Sequence, residues 1–165
     1  MDNGFARILT PPVTALLELP AVWLTQFDGV NLDGKWQVSA TLATVDADGW
    51  PHLAYLSAGE MLAHDSRRIT FLLWSRSRSA ANLIRVGRGA LHAVADGAVW
   101  EARLISRPRA DADELSVFDA QVIEVRRHAA PYAETTQLIG FRLHDPAGTL
   151  ERWRRQLDRM RSAVP

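Results

Sequence analysis

One segment of the sequence alternates serine with arginine over five consecutive positions and could bind an anion: Ser75, Arg76, Ser77, Arg78 and Ser79. The guanidinium groups supply positive charge that matches a phosphate, and the hydroxyl groups supply hydrogen-bond donors. The apolar residues that follow have the spacing of a short helix, which Ser77 or Ser79 would cap and which Gly87 and Gly89 would end. Because free backbone N–H groups and the helix dipole meet at a helix N-terminus, the segment predicts a phosphate-binding site. The alternative is a solvated loop that only caps the helix.

Length and composition limit the classes of function that remain. A chain of 165 residues with 47% apolar residues can form one core, so we expect a single domain over residues 1–165 with its core at about residues 36–144. The sequence contains no cysteine, which excludes disulfides, thiolate metal sites and a cysteine nucleophile. The 19 basic and 19 acidic residues cancel, so neither nucleic acid nor an anionic membrane is an expected partner.

The most apolar early segment, residues 13–24, bears on the location of the protein. It contains Glu18 and Pro20 and follows a single basic residue, Arg7. It makes a poor signal peptide and is too short to span a bilayer. We therefore expect a cytoplasmic protein.

Alternation and turn residues predict six strands that are connected mainly by hairpins. These strands fall at residues 38–45, 53–62, 69–74, 90–95, 98–105 and 137–143. Gly49 provides the positive φ that the first hairpin needs, and Asp96-Gly97 is the favoured sequence of a two-residue type I′ turn. Hairpin-connected strands of this number predict a small antiparallel barrel.

Helices are predicted around this barrel, at residues 11–27, after Ser77, at residues 111–128 and from Pro146 onwards. The segment 111–128 has acidic residues in its first turn, basic residues in its last turn and apolar residues at helical spacing. The final helix carries a run of arginines that we interpret as its solvated face: Arg152, Arg154, Arg155, Arg159 and Arg161. The predicted fold class is mainly β with α.

Two stretches of this pattern resemble a known family. They are ATLATVDADGWPHLAYLS at residues 40–57 and ITFLLWSRSRSAANLIRVGRGALHAVADG at residues 69–97. They are similar to the pyridoxamine 5′-phosphate oxidase-like flavoproteins, which have a D-x-D-G-x-P-H turn between strands and a helix start like S-R-K-A-x-N-L. The resemblance covers roughly residues 39–107. It implies a six-stranded antiparallel split β-barrel with flanking helices, and a homodimer that binds FMN in a cleft between its subunits.

The resemblance also implies which residues contact the cofactor. Ser77, Arg78 and Ser79 occupy the S-R-K positions, so that serine stands where the family has lysine. The second predicted strand matches the segment that lines the phosphate and the flavin ring, and the fifth strand is where the partner subunit would contribute. The implied cofactor-binding residues are His52, Tyr55, Leu56, Ser57, Trp74, Ser75, Arg76, Ser77, Arg78, Ser79, Asn82 and Trp100.

The function that follows is oxidation or reduction of an unidentified small molecule with FMN as cofactor. A flavin carries the redox chemistry in its own ring, so no catalytic side chain is assigned. One alternative is a split barrel without flavin that acts as a ligand-binding or stress-associated module, which serine in place of lysine at position 79 favours. Another is a relative that uses a deazaflavin or haem.

Single residues also allow two interpretations. Trp74 either stacks near a flavin or packs in the core, and His52 either contacts a ligand or is an ordinary strand residue. No two histidines have the spacing of a metal-binding motif, so no metal site is expected.

Overall fold

Strands are the predominant regular structure in the computed structural model, which describes residues 15–112, 114–137 and 142–163. The strands are β1 (Ala15–Leu16), β2 (Ser39–Val45), β3 (Pro51–Ser57), β4 (Met61–Asp65), β5 (Arg68–Trp74), β6 (Arg88–Ala95), β7 (Ala98–Ala112) and β8 (Leu115–His128). The helices are α1 (Ala21–Gln26), α2 (Arg78–Val86) and α3 (Pro146–Ala163), with a short 3₁₀ helix at Leu32–Gly34.

The strands form one antiparallel sheet that curls around the core. Their order across the sheet is β3-β2-β6-β7-β8-β5-β4, and the two-residue β1 pairs with β8. The predicted fold class, a split barrel of mainly β structure with helices, is confirmed. The predicted number of six strands is corrected, because seven strands follow one another across this sheet.

The elements that local sequence determines agree with prediction. Gly49 has φ of 88° in the β2–β3 hairpin, and Asp96 and Gly97 have φ of 49° and 70° in the β6–β7 hairpin. Ser77 caps α2 by accepting a hydrogen bond from the backbone N–H of Ala80 at 3.2 Å. Gly87 ends the helix in the left-handed conformation, with φ of 67°.

The predicted helix at residues 111–128 is wrong, because these residues form the end of β7 and all of β8. Phe118 and Val122 point into the core by strand alternation, and Val125 joins them although it lies three positions further on. The register shift opposite Arg103 and Leu104 inserts Ile123 as an extra residue of β8, which moves the next buried position to Val125. Because of this β-bulge, the buried residues Val122 and Val125 are three positions apart, a spacing that is also typical of a helix.

The predicted strand at residues 53–62 is two strands at opposite edges of the sheet, β3 and β4. A tight turn separates them, in which Ser57 donates hydrogen bonds from its backbone N–H and its hydroxyl to Glu60 Oε2, at 2.8 and 2.7 Å. Gly59 lies in this turn directly against Trp153, where a Cβ atom would come within 1.9 Å of Cγ. Close approach of α3 therefore requires glycine at this turn.

Two further predictions concern the ends of the chain. The helix predicted at residues 11–27 is corrected in its first part, because Ala15–Leu16 form β1 and the helix, α1, begins only after Pro20. Residues 11–14 lie outside the described residues. The predicted strand at residues 137–143 has most of its length, residues 138–141, outside the described part, and its remaining residues lie in no strand. None of the helices in the described part of the chain is both long and apolar enough to cross a membrane.

Apolar packing occurs in two clusters. The larger lies inside the curled sheet, where Phe71 stacks on Phe118 and Trp23 contacts Phe27 edge to face. The smaller lies between the sheet and α3 and includes Trp153, Leu157, Met160 and Leu72. This second cluster holds α3 against β4, β5 and β8.

Candidate functional site

The serine-arginine segment connects the end of β5 to the start of α2. Trp74 is the last residue of β5 and is 60% exposed, so it does not pack in the core as one interpretation had it. The Ser75 backbone N–H donates to Glu114 O, and the Ser75 hydroxyl accepts a hydrogen bond of 2.8 Å from Ser116. Both contacts fix the segment to the start of β8.

The first turn of α2 combines exposed charge with a buried hydroxyl group. Arg76 and Arg78 are exposed, and Ser77 uses its hydroxyl to cap the helix. Ser79 is 1% exposed, and its Oγ has no hydrogen-bond partner among the described residues. Leaving a buried hydroxyl unpaired destabilises a fold, so this atom is a candidate for contact with a ligand.

Asp46, which sequence reasoning read only as a turn residue, lies beside this helix start. Arg78 donates to Asp46 Oδ2 at 3.1 Å, and the Asn82 amide donates to Asp46 Oδ1 at 2.8 Å. Asn82 also donates to the hydroxyl of the buried Thr44 at 3.1 Å. The hydrogen bond from Asn82 lowers the pKa of Asp46, and the charges of Arg78 and His52 act in the same direction against desolvation. Asp46 is therefore anionic at neutral pH.

We call this arrangement of Arg76, Arg78, Ser79 and Asn82 at the first turns of α2, with Asp46 beside them, the α2 site. The sequence predicted two arginines available for an anion, but one of them, Arg78, already pairs with the carboxylate of Asp46. The Arg78 side chain is 74% exposed, so its ion pair with Asp46 is weak and the guanidinium can turn to another anion.

The implied site residues of β3 divide between the two faces of the strand. His52 lies opposite Thr44 on β2, and Thr44 accepts a hydrogen bond from Asn82, which places His52 beside the α2 site. Leu56 is buried in the core, whereas Tyr55 is 63% exposed on the opposite face. Ser57 is bound to Glu60 in the turn after β3. Of the four predicted site residues on β3, only His52 therefore lies beside the α2 site.

Trp100 belongs to a different part of the molecule. It is a buried residue of β7 whose indole N–H donates to Ala95 O at 3.1 Å, with the Arg127 guanidinium 5.9 Å from its ring centre. These contacts hold Trp100 between β6 and β8.

Comparison with known proteins gives one related sequence and several similar structures. No protein-family model matches the chain. The Bacillus subtilis protein named Uncharacterized protein YclD is 34% identical over 135 residues, which cover 79% of this chain and 88% of that protein.

Two crystal structures share the architecture. A candidate pyridoxamine 5′-phosphate oxidase from Lactobacillus delbrueckii superposes with a TM-score of 0.52 at 22% identity, over 67% of this chain and 94% of that chain. The protein HupZ of Group A Streptococcus superposes with a TM-score of 0.51 at 14% identity, over 67% of this chain and 96% of that chain. At these identities the likeness concerns the fold.

Proposed function

Because the chain belongs to the family of Bacillus subtilis YclD and has the split-barrel fold of the pyridoxamine 5′-phosphate oxidase-like proteins, we propose that it is an FMN-dependent oxidoreductase. In this proposal a homodimer holds FMN between its subunits and acts on a small molecule. The observation that carries it is the α2 site, where a buried hydroxyl with no partner among the described residues lies next to an exposed arginine at a capped helix start.

The residues of the α2 site fit the terminal phosphate of FMN. The phosphate carries nearly two negative charges at neutral pH, which the guanidinium groups of Arg76 and Arg78 match. The Ser79 hydroxyl, which lacks a partner in the described structure, would donate to a phosphate oxygen. The backbone N–H groups in the first turn of α2 add further donors and the positive end of the helix dipole. Together these groups replace the charge of the family's lysine.

Binding requires Arg78 to exchange one anion for another. In the structure Arg78 faces Asp46, and a phosphate at the helix start would compete with that carboxylate. The exposed side chain of Arg78 can turn without disturbing the core, while Asn82 keeps Asp46 in place. The flavin ring supplies hydride or electron transfer when it is bound, so the protein needs only to bind and orient it.

The surface of the β2–β3 hairpin supports the dimer part of the proposal. Val45, Leu53 and Tyr55 all expose half or more of their surface and lie near one edge of the sheet. A partner subunit and the flavin ring would cover these apolar groups. A protein that stays monomeric in sedimentation at every concentration, yet still binds FMN, contradicts this arrangement.

A second function is favoured by the Arg78–Asp46 ion pair itself. If Asp46 neutralises Arg78 permanently, the barrel binds no flavin and acts as a binding module. The absorbance spectrum of freshly purified protein separates the two functions. We expect a flavin spectrum, and a higher melting temperature when FMN is returned to stripped protein. A colourless protein whose melting temperature does not respond to FMN supports the second function.

The substitution Arg78→Ala tests the phosphate contact directly. We expect FMN affinity to fall about tenfold, or about 1.4 kcal/mol, because a charge-assisted hydrogen bond to the phosphate is lost. Fluorescence titration of stripped protein with FMN measures the change. Arg88→Ala is the matched control, since Arg88 is also exposed but follows Gly87 at the other end of α2. Equal affinities of the two variants would reject this role of Arg78.

A further inference from the structure

A cavity of about 310 Å³ lies between α3 and the adjoining ends of β5 and β8. Trp74 and Leu115 form one wall, and they are opposite each other in the pairing of β5 with β8. The facing wall is α3. This volume is at the lower end of the range for small-molecule sites, which suits a ligand built on a single ring. We call it the α3 cavity.

Three arginines of α3 line this cavity, at positions that place them on one face of the helix: Arg152, Arg155 and Arg159. The sequence interpretation assigned the whole arginine run to a solvated face, and the structure divides it. Arg154 of the same helix lies away from the cavity and pairs with Asp33 at 3.2 Å. Some arginines of α3 therefore line the cavity, whereas Arg154 forms an ion pair at the surface.

One arginine of the lining suits an anion with a single negative charge. Arg155 shares its charge with Glu151, at 2.7 Å. Glu60 contributes a carboxylate to the lining, and its Oε2 already accepts two hydrogen bonds from Ser57. Arg152 pairs with no carboxylate among the described residues, and its single positive charge matches a carboxylate better than a phosphate dianion.

Gln156 indicates that a ligand of the α3 cavity should carry a hydrogen-bond donor. Its side chain lines the cavity but the residue is only 6% exposed, and its Oε1 is buried without a hydrogen-bond partner among the described residues. A buried amide oxygen without a donor destabilises the protein, and a donor from a bound ligand would remove that cost. The ligand should therefore carry an O–H or N–H group as well as its negative charge.

We propose that the α3 cavity binds a single-ring aromatic carboxylate that carries a hydrogen-bond donor. The ring lies against Trp74 and Leu115, the carboxylate faces Arg152, and the donor reaches Gln156 Oε1. The proposal does not depend on FMN, since none of these contacts involves Arg78, Ser79 or Asn82.

Calorimetric titration with 4-hydroxybenzoate, and with 4-hydroxybenzamide as its uncharged match, tests the proposal. We expect the carboxylate to bind at least tenfold more tightly than the amide. Arg152→Ala should weaken carboxylate binding about tenfold, whereas Arg154→Ala, on the same helix, should leave it unchanged. Trp74→Leu should also weaken binding, and because Trp74 is exposed this variant folds normally. Equal binding of both compounds, no binding at millimolar concentration, or equal effects of the two arginine variants would overturn the proposal.

FMN titrations of the same variants keep this proposal separate from the previous one. Arg152→Ala should bind FMN as the unmodified protein does, and Arg78→Ala should bind 4-hydroxybenzoate unchanged. If Arg152→Ala loses FMN together with the carboxylate, the cavity belongs to the flavin and the separate ligand is rejected. If the protein binds the carboxylate and no FMN, the α3 cavity stands and the flavin proposal fails.

Discussion

The α2 site and the α3 cavity both collect arginines on one helix, but the fold brings different partners to them. At the α2 site Arg78 faces Asp46, which lies 32 positions earlier on the β2–β3 hairpin. The α3 cavity is lined by the carboxylate of Glu60 and by three arginines, of which Arg152 pairs with no carboxylate among the described residues. The density of arginine in a segment therefore says little about anion binding until the carboxylates from distant elements are known.

The two regions also differ in what holds them in place. Hydrogen bonds from Asn82 to Thr44 and Asp46 fix α2 to the hairpin. α3 rests on the sheet through the buried side chains of Trp153, Leu157 and Met160. A change in apolar packing should therefore damage the α3 cavity and leave the α2 site intact.

The substitution Gly59→Ala should have the largest effect and should separate the two regions. Its Cβ would come within 1.9 Å of Trp153 Cγ and 2.3 Å of Trp153 Cβ, so α3 must shift away from the turn between β3 and β4. We expect the free energy of unfolding to fall by about 3 kcal/mol, as for other overpacked cores. Binding of 4-hydroxybenzoate should be lost while FMN binding remains. Chemical denaturation and the two titrations measure these changes.

Gly34→Ala serves as its control, because a Cβ at that position would meet no described residue within 4 Å apart from its own stretch of chain. We expect its stability to change by less than about 0.5 kcal/mol. If Gly59→Ala is as stable as Gly34→Ala, α3 does not depend on close approach at Gly59.

Ser79→Ala should have an intermediate effect, with opposite signs for stability and binding. Ser79 Oγ is buried and has no hydrogen-bond partner in the part of the chain that the structure describes, so its removal should raise the free energy of unfolding of FMN-free protein by about 1 kcal/mol. FMN affinity should fall about fivefold, because the phosphate loses a donor. Ser106→Ala is the matched control, since Ser106 on β7 is also buried and its hydroxyl likewise bonds to none of the described residues. It should gain stability and keep its FMN affinity, and a fall in affinity for both variants would remove Ser79 from the site.

Sequence reasoning succeeded where the determinants are local. The cap at Ser77 and the turns at Gly49 and Asp96-Gly97 depend on a few neighbouring residues, and the structure has each of them. The helix predicted at residues 111–128 failed because a single extra residue, Ile123, shifts the buried positions of β8. A bulge is set by the partner strand, which the sequence of β8 does not reveal.

The candidate sites show the same limit more clearly. Arg76, Arg78 and Ser79 could be identified from their own segment, because helix starts have a recognisable sequence. The effect of Asp46 on Arg78 could not be predicted from that segment, because the contact depends on the register of the β2–β3 hairpin, which is distant in the chain. The α3 cavity likewise joins Trp74 to Arg152, and nothing in either segment points to the other.

Asp46→Asn should have the smallest effect and tests the competition for Arg78. The amide keeps an oxygen to accept the hydrogen bond from Asn82, so the hairpin and α2 should stay in place. Loss of the negative charge frees Arg78 and removes repulsion of the phosphate, so FMN should bind several-fold more tightly at low salt. The gain should shrink at high salt, because the Arg78–Asp46 pair is exposed on the arginine side.

Asp48→Asn removes the same charge from the same hairpin turn, at an exposed residue with no arginine contact in the described structure, and so controls for net charge. If both variants gain affinity equally, the effect is one of overall charge and the competition is rejected. If Asp46→Asn binds FMN more weakly, Asp46 positions Arg78 for the phosphate. The pairing that distinguishes the α2 site from the α3 cavity would then assist binding at α2, and both regions would present arginine ready for an anion.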